Sequence, residues 1–563
     1  MIAGNLNPSL VKATSKPAGL RYWMLRVLDE CDNVAADFSA DPVHDLRVSL
    51  RRCRSMADGM MAMDPNRNWK DMKKAGRQLF QRLGALRDVQ IMMEWIEKLE
   101  LENEAPNPLP APETLPNPDT DLASSHFATA GAQTESAAQN LLRILKIRET
   151  EQKQEARAAL EEFDRKQWKH WSRILPGRAA RIRPGSLLFK HLALERWTAA
   201  RELHMRAMRN RSQIALHTLR IGIKRFRYIV ENFLPEEHQL WGNDLKHMQD
   251  LLGEVHDLDV LWATAVSCHI FSEGSSRKSW HERILEERTK RVDEYRQRTT
   301  GAESLWQAWR GGLPQGKQIQ QITTRRMKLW AKELDPDFAH SERVARLSLA
   351  LYDGITSAGL LPPANSPETT NGAGADLRSG LYAAALLHDV GKAKGNKGHQ
   401  KESFDLIKKH GTPLGWNEST MQQAAIIARF HCGALPTRNH RLLRDLLPEE
   451  QKSVIRLSAV LRLANALDST HDGHVRRIRI ENVTAAKLRH NGFLRKSTPL
   501  GKNEALVISA EGYTDGTVTA QAVAAERYLL ETVLRRPIIV RPASRIRRPA
   551  SGPRRSSGQN AAS

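Results

Sequence analysis

The chain is poor in cysteine: Cys31, Cys53, Cys268 and Cys432 lie far apart in 563 residues and form no C-x-x-C pair. This excludes a disulfide framework and a zinc ribbon, and it fits a reducing interior. Runs of about 18 apolar residues are absent, so no membrane-spanning segment is expected. The opening stretch, MIAGNLNPSLVKATSKPAGLRYW, lacks the apolar centre of a secretory signal. The expected location is cytoplasmic. No zinc finger, RNP motif or basic zipper is visible, which removes the common sequence-reading nucleic-acid modules. Acid is also scarce: 64 Asp and Glu face 86 Lys and Arg, a formal charge of +22.

That surplus calls for a polyanionic partner, whether nucleic acid, an acidic membrane surface or a phosphate polymer. The length implies two to four domains, and 13 tryptophans within 40% apolar residues can fill real cores. Three stretches interrupt the helical periodicity. Residues 103–140 hold six prolines among small polar residues and read as a disordered insertion. Residues 357–380 read as a long loop, and the end from 541 to 563 carries six arginines and no acid, as expected of a disordered basic tail. GGLPQGK at 311–317 marks the expected junction of the two main parts, with 301–319 as linker.

A repeat organises the first part. HDLRVSLRRCRSMADGM at 44–60 matches HTLRIGIKRFRYIVENF at 217–233, an offset of roughly 170 residues. Both carry His-x-x-Arg-x-x-x-Arg/Lys-x-x-Arg: His44, Arg47, Arg51, Arg54 and His217, Arg220, Lys224, Arg227. LGALRDVQ at 83–90 and LGEVHDLD at 252–259 form a second matched pair. On a helix the four ridge positions share an arc of about 80°. Beside them run Leu46, Leu50, Cys53, Ala57 and Leu219, Ile223, Phe226, Val230, so each helix can dock while presenting a cationic edge. Like charges at this spacing cost roughly 0.2–0.5 kcal/mol per pair. A single such helix would read as a solvated basic face. The same frame twice argues for a bound anion, and few exposed aromatics interleave the ridges to suit stacked bases. Arg52 and Arg225 lie off the ridge.

These helices, their LG-x-x-[RH]-D partners and the duplication resemble the CHAD domain (conserved histidine alpha-helical domain). The resemblance covers about 15–300 and implies two related helical bundles, about 15–102 and 141–300, around a basic channel that binds inorganic polyphosphate. It further implies that His44, Arg47, Arg51, Arg54, His217, Arg220, Lys224 and Arg227 contact phosphate. His256 stands where the first copy has Arg87, so the halves need not bind equally.

From residue 320 the chemistry changes. LLHDVGK at 386–392 sets His388 beside Asp389 after an apolar helical run. His340 lies upstream in AHSERVARLS and Asp468 downstream in LRLANALDS. Two imidazoles and two carboxylates can hold Mn²⁺, Mg²⁺ or Fe²⁺ with positions open for water and a phosphate oxygen. Lys392, one turn on, can reach the same phosphate. His399 and His431 can complete a second ion site, contact phosphate, or only support neighbours by hydrogen bonds.

The segments HS-x-x-VA, LLHD-x-GK, A-R-F-H-x-x-x-x-P, LRLA-x-ALD and ALVISAEG resemble the HD superfamily of metal-dependent phosphohydrolases. More narrowly they are similar to the HD-like C-terminal domain of the exopolyphosphatase/guanosine-pentaphosphatase family, over about 320–540. The actin-like domain that performs catalysis in that family is absent, and Glu402 stands where it commonly has His. The expected fold class is mainly α: a duplicated helical-bundle CHAD-like domain, then an HD-like all-α domain with a small mixed α/β C-terminal segment. Two functions follow: a polyphosphate-binding protein with a metal-dependent phosphohydrolase domain, or a non-catalytic polyphosphate-binding module, granule-associated, whose HD-like part is structural or senses a ligand. Nucleic-acid binding is the lesser alternative; the substrate, the metal and the oligomeric state stay open.

Overall fold

Polar caps start many of the helices in this computed structural model, which describes residues 19–99, 136–210, 212–271, 274–361, 376–483 and 505–543. Asn66, Asp164, Ser212, Asp337, Asp376 and Thr517 each accept a hydrogen bond from the first turn they precede, satisfying amides that have no intrahelical partner. Ser136 and Gln139 form a reciprocal capping box. The chain divides into two compact units, Met1–Ile322 and Thr323–Ser563. Among the described residues no helix is long and apolar enough to cross a membrane.

The first unit is a duplicated helical bundle. Its first half holds α1 (Leu20–Ala36), α2 (Ala40–Met61), α3 (Arg67–Lys98), α4 (Ala137–Glu162) and α5 (Arg165–Ala179). The second holds α6 (Leu187–Arg209), α7 (Gln213–Phe233), α8 (Pro235–Ser267), α9 (Gly274–Thr299) and α10 (Leu305–Gly311). The neighbours correspond: α1 packs on α2 and α5 as α6 packs on α7 and α10, α2 on α3 as α7 on α8, and α3 on α4 as α8 on α9. Across the halves α2 meets α7 and α3 meets α8. Gly59 permits the first contact, since a Cβ there would lie 2.4 Å from the Phe233 ring.

Three expected boundaries need correction. The proline-rich stretch does not separate the halves: it connects α3 to α4 inside the first one, and the halves meet at residues 180–186. Residues 100–135 of that stretch lie outside the described residues, as do 362–375 of the expected long loop. Residues 301–319 are not merely a linker. Helix α10 lies there with Trp306 and Trp309 fully buried, packed on Trp197, His204 and Phe226 at ring separations of 6.1, 5.2 and 5.8 Å. The pair Trp168 and Trp171 does the same for α5, with Trp168 Nε1 donating to the Met24 carbonyl at 2.9 Å. The expected tail from 541 begins too early, because Arg541–Ala543 complete a strand; 544–563 lie outside the described residues.

The division at Ile322 falls within α11 (Lys317–Leu334), and the second unit continues through α12 (Phe338–Ser357), α13 (Leu377–Leu387), a 3₁₀ turn (Val390–Lys394), α14 (His399–His410), α15 (Glu418–Arg429), α16 (Arg441–Arg444) and α17 (Pro448–Leu467). Strands β1 (Arg477–Val483) and β2 (Ala505–Glu511) pair antiparallel with Ile480 opposite Ile508. Strand β3 (Ile538–Ala543) joins β2 in parallel with Ile508 opposite Val540. A parallel pair needs a crossover, and α18 (Val518–Leu534) supplies it while packing on α17. Strand β2 is central and almost wholly buried. The nearly continuous apolar run of α13, LYAAALL, is buried in the core, and it delivers His388 and Asp389 at its end.

Trp309→Ala should destabilise the first unit by about 3–5 kcal/mol, as for other buried large aromatics, read as a shift in denaturant midpoint. A change within about 0.5 kcal/mol, the usual surface value, would return 301–319 to the status of a tether.

Candidate anion-binding seam and metal centre

Helices α2 and α7 bring both cationic ridges to one seam. Lys224 stands among Arg220 of its own helix and Arg51, Arg47 and Arg54 of the other, and burial with these neighbours pushes its ammonium down to about 7. Burial likewise pushes Arg47 down to about 10, against the pull of Asp88, and lowers Arg54. Arg47 and Arg54 both lie over Phe80, 4.4 and 4.7 Å from the ring centre, and Arg47 Nη1 donates to the Phe80 carbonyl at 3.3 Å. The Nε atoms of Arg51, Arg54, Arg220 and Arg227 and the Tyr228 hydroxyl are buried without a hydrogen-bond partner. Arg51 sits 5.5 Å over the Tyr228 ring.

The second matched motif serves the first. A Cβ at Gly84 would press on Arg47 Nη1 at 2.9 Å, and one at Gly253 would lie 3.7 Å from Arg220 Nε. Gly84 thus leaves room for a ridge arginine, whereas Gly253 lies in ordinary contact distance of its counterpart. His44 lies exposed, held low by partial burial and the charges of Arg87, Arg51 and Arg47. His217 contacts His256 Nδ1 to Nδ1 at 3.2 Å, a pairing with no counterpart at Arg87, which binds Glu94 at 2.8 Å. Off the ridge, Arg52 pairs with Glu231 at 2.5 Å and reaches Asn232, so it ties the halves together, whereas Arg225 is exposed.

In the second unit, His388, Asp389 and His431 are buried and His399 is half-buried. Gly391 makes this convergence possible. A Cβ there would fall 2.1 Å from the His399 carbonyl and 2.5 Å from the Ser403 amide. Gly391 N instead donates to Ser403 Oγ at 2.9 Å, which donates to the His388 carbonyl at 2.6 Å. Helix α14 is thereby docked with His399 Nε2 at 3.2 Å from Asp389 Oδ1. His431 Nε2 is 3.6 Å from the same oxygen and 3.1 Å from His399 Nε2. His388 Nε2 is 3.4 Å from Oδ2, where Lys392 Nζ also sits at 2.5 Å. Backbone carbonyls of Ala385 and Ala428 hold the Nδ1 atoms of His388 and His431, each at 2.8 Å. Every Nε2 is thus turned inward.

Burial alone would raise the Asp389 carboxyl, but His388, His399, His431 and Lys392 outweigh it and hold it well below the usual range. Hydrogen bonding to Asp389 raises His399 to about 10; burial lowers His388 and His431.

The other two residues expected as ligands form a pair of their own. His340 Nδ1 lies 2.7 Å from Asp468 Oδ2 and its Nε2 lies 2.9 Å from Asn465 Oδ1. Arg343 Nε reaches both Asp468 oxygens at 3.1 and 2.9 Å, and Gly473 N donates at 3.2 Å. His340 can be grouped with His388 and Asp389 within 4.8 Å, whereas Asp468 belongs to no such group. Asp468 is engaged by the Arg343 guanidinium and by His340. His471, with a positive φ of 60°, stacks on the His340 ring at 3.8 Å.

The CHAD domain family matches residues 24–266, and Ppx/GppA phosphatase domain III matches residues 319–508. The chain thus matches a CHAD domain followed by a Ppx/GppA domain III. A comparison with curated proteins returned no match. The two matches together point to a polyphosphate-related role. The CHAD part contains both ridges and both LG motifs, and the Ppx/GppA part contains every inward-facing histidine.

Reasoning from sequence singled out the ridge residues and these histidines but not the residues that support them. Arg462 Nη1 donates to the Phe430 carbonyl at 3.0 Å and Nη2 to the Gly433 carbonyl at 3.2 Å, bracketing His431 and Cys432. Glu526 of α18 holds Arg462 in turn at 2.7 Å. Nothing in LRLA identifies that partner 64 residues away. The glycine of LLHDVGK was a visible signal, and the structure supplies its meaning. Gly391→Ala should force α14 off the 3₁₀ turn and cost roughly 1–3 kcal/mol, the range for overpacking. Thermal unfolding checks this, and an unchanged midpoint would remove Gly391 as the device that places His399.

Proposed function

We propose that the chain binds inorganic polyphosphate along the seam of the CHAD part and that its Ppx/GppA part is a divalent-metal phosphohydrolase. The observation that carries the binding reading is buried positive charge in excess of the acid around it: guanidinium and ammonium groups of both halves face one another, with Asp88 and Glu231 as neighbouring acids, while four Nε donors lack partners. Buried donors left unsatisfied are costly, and a row of phosphate oxygens offers acceptors and opposite charge at once. The chemistry is blind to bases, which favours a phosphate polymer over nucleic acid. Retention at polyphosphate granules would follow from that binding.

For the metal, the donor set fits a small divalent ion. His388 Nε2 is buried with no hydrogen-bond partner. Ligands about 2.1 Å from an octahedral ion lie roughly 3.0 Å apart, close to the 3.1–3.6 Å among His399, His431 and Asp389. His388, Asp389, His399 and His431 would hold it, with His340 at the margin. Such an ion activates water and neutralises phosphoryl charge. Lys392, freed from Asp389, orients a phosphate oxygen. The alternative, a binding protein without hydrolysis, draws on Asp468: its carboxylate is already engaged by Arg343 and His340.

Polyphosphate affinity of the full chain should fall as pH rises. Lys224 is protonated below about 7; above it, binding must take up a proton, so affinity drops by up to roughly tenfold per pH unit until the bound-state pKa is passed. Lys224→Arg should flatten that dependence, and Arg220→Glu with Lys224→Glu should weaken binding at least about tenfold, or about 1.4 kcal/mol. Unchanged binding in the folded double variant defeats the seam, and equal competition by duplex DNA at physiological salt would favour nucleic acid.

Asp389→Ala should lower bound metal and reduce phosphate release from polyphosphate, a guanosine polyphosphate or a simple phosphoester by about 100-fold or more. Polyphosphate affinity should be unchanged. Wild-type protein that binds none of Mn²⁺, Mg²⁺, Fe²⁺ or Zn²⁺ and releases no phosphate with any of them selects the binding-only reading.

A further inference from the structure

The metal reading above used imidazoles and a carboxylate, but a thiol stands beside them. Cys432 follows His431 at the end of α15, is half-buried and free, and its Sγ lies 3.9 Å from His399 Nε2. Donor atoms of His399, His431 and Cys432 all fall within 4.8 Å of one another. Asp389 divides its two oxygens between sides: Oδ2 faces Lys392 and His388, while Oδ1 faces His399 and His431. Two imidazoles and one thiol therefore meet, and Asp389 Oδ1 lies 3.2 and 3.6 Å from the two imidazoles.

We propose that Cys432 is a thiolate ligand and that His399, His431, Cys432 and Asp389 form a subsite selective for zinc over magnesium or manganese. This rests on the metal reading of the same centre and specifies which ion that centre selects. Tetrahedral zinc bonded at about 2.1 Å to imidazole and 2.3 Å to thiolate places its ligand atoms roughly 3.4–3.6 Å apart. The distances here, 3.1 Å between imidazoles, 3.9 Å to sulfur and 3.2 and 3.6 Å to Oδ1, bracket that value. A second observation points to a cation independently of the thiol. His388, fully buried, directs an unpartnered Nε2 at the same carboxylate. The supports are rigid as well: Arg462 fixes the carbonyls on both sides of the His431–Cys432 pair. Thiolate favours zinc and other borderline or soft ions, whereas magnesium and manganese favour oxygen. With Cys432 in the set, a hard-ion site becomes one with a soft donor.

The test uses the full chain freed of metal by chelation and then titrated with Co²⁺, Zn²⁺ and Mn²⁺. Cobalt should bind with a thiolate-to-metal charge-transfer absorption in the near ultraviolet, and zinc should displace it. Cys432→Ser, a near-isosteric change, should abolish that absorption and weaken zinc about tenfold or more. Its Mn²⁺ affinity should change by no more than about twofold. Thermal unfolding without metal, matched to wild type, shows that the variant is folded; Cys432→Ala repeats the measurement if serine disturbs the fold. Cobalt bound without the absorption, or an absorption that survives in Cys432→Ser, overturns the thiolate ligand while leaving metal-dependent hydrolysis standing. Protein that binds none of the three ions overturns both.

Discussion

Positive charge brought together out of water, with too little acid to neutralise it, is the constraint on which the first unit depends. Four ridge residues per half would repel one another on isolated helices, and the structure places the two sets against each other across α2 and α7. The remaining features make that tolerable. Phe80 lies under two guanidinium groups, Gly84 leaves room for Arg47, and Glu231 ties Arg52 to the opposite half. Tryptophan pairs in α5 and α10 anchor each half. Stability comes from apolar packing, and the seam is carried at its expense, as expected where a binding surface must wait for its counter-charge.

The second unit solves the reverse problem. One carboxylate, Asp389, is held between three imidazoles from the ends of three helices and the Lys392 ammonium of the adjoining turn. The convergence depends on backbone approach, since α14 can dock only against a residue without a side chain. The His–Asp pair that ends α13 is positioned by an apolar helix, and His431 by a carbonyl on one side and an arginine clamp on the other. A separate network, His340, Asp468, Asn465 and Arg343, lies beside this cluster. Its saturation with hydrogen bonds sets it apart from the inward-facing histidines. Catalytic and binding-only readings divide on whether that network opens.

Much of this was written in local order. A helical period of 3.6 turns His-x-x-Arg-x-x-x-Arg/Lys-x-x-Arg into a ridge whatever the ridge faces, and an apolar run followed by His-Asp sets two ligands at a helix end. Duplication was legible for the same reason, because identical spacing survives in sequence without knowledge of packing. What the chain could not disclose was partner choice. The proline-rich stretch looked like a boundary because composition changes there, yet α4 and α5 pack back on α3 and α1, so the true boundary is the short turn after α5. The linker assignment failed for a related reason: glycine and proline around 311–316 suggested a break, and the buried faces of Trp306 and Trp309 outweighed them. Asp468 was grouped with Asp389 because both follow apolar helical runs, and only the fold shows that Arg343 and His340 contact its carboxylate. Sequence by itself determined helical class, duplication, charge ridges and the histidine inventory, all set by residue type at fixed local spacing. Tertiary structure alone decided that the ridges face each other, that Arg343 takes Asp468, and that Cys432 joins His399 and His431, because those contacts depend on close approach between distant segments.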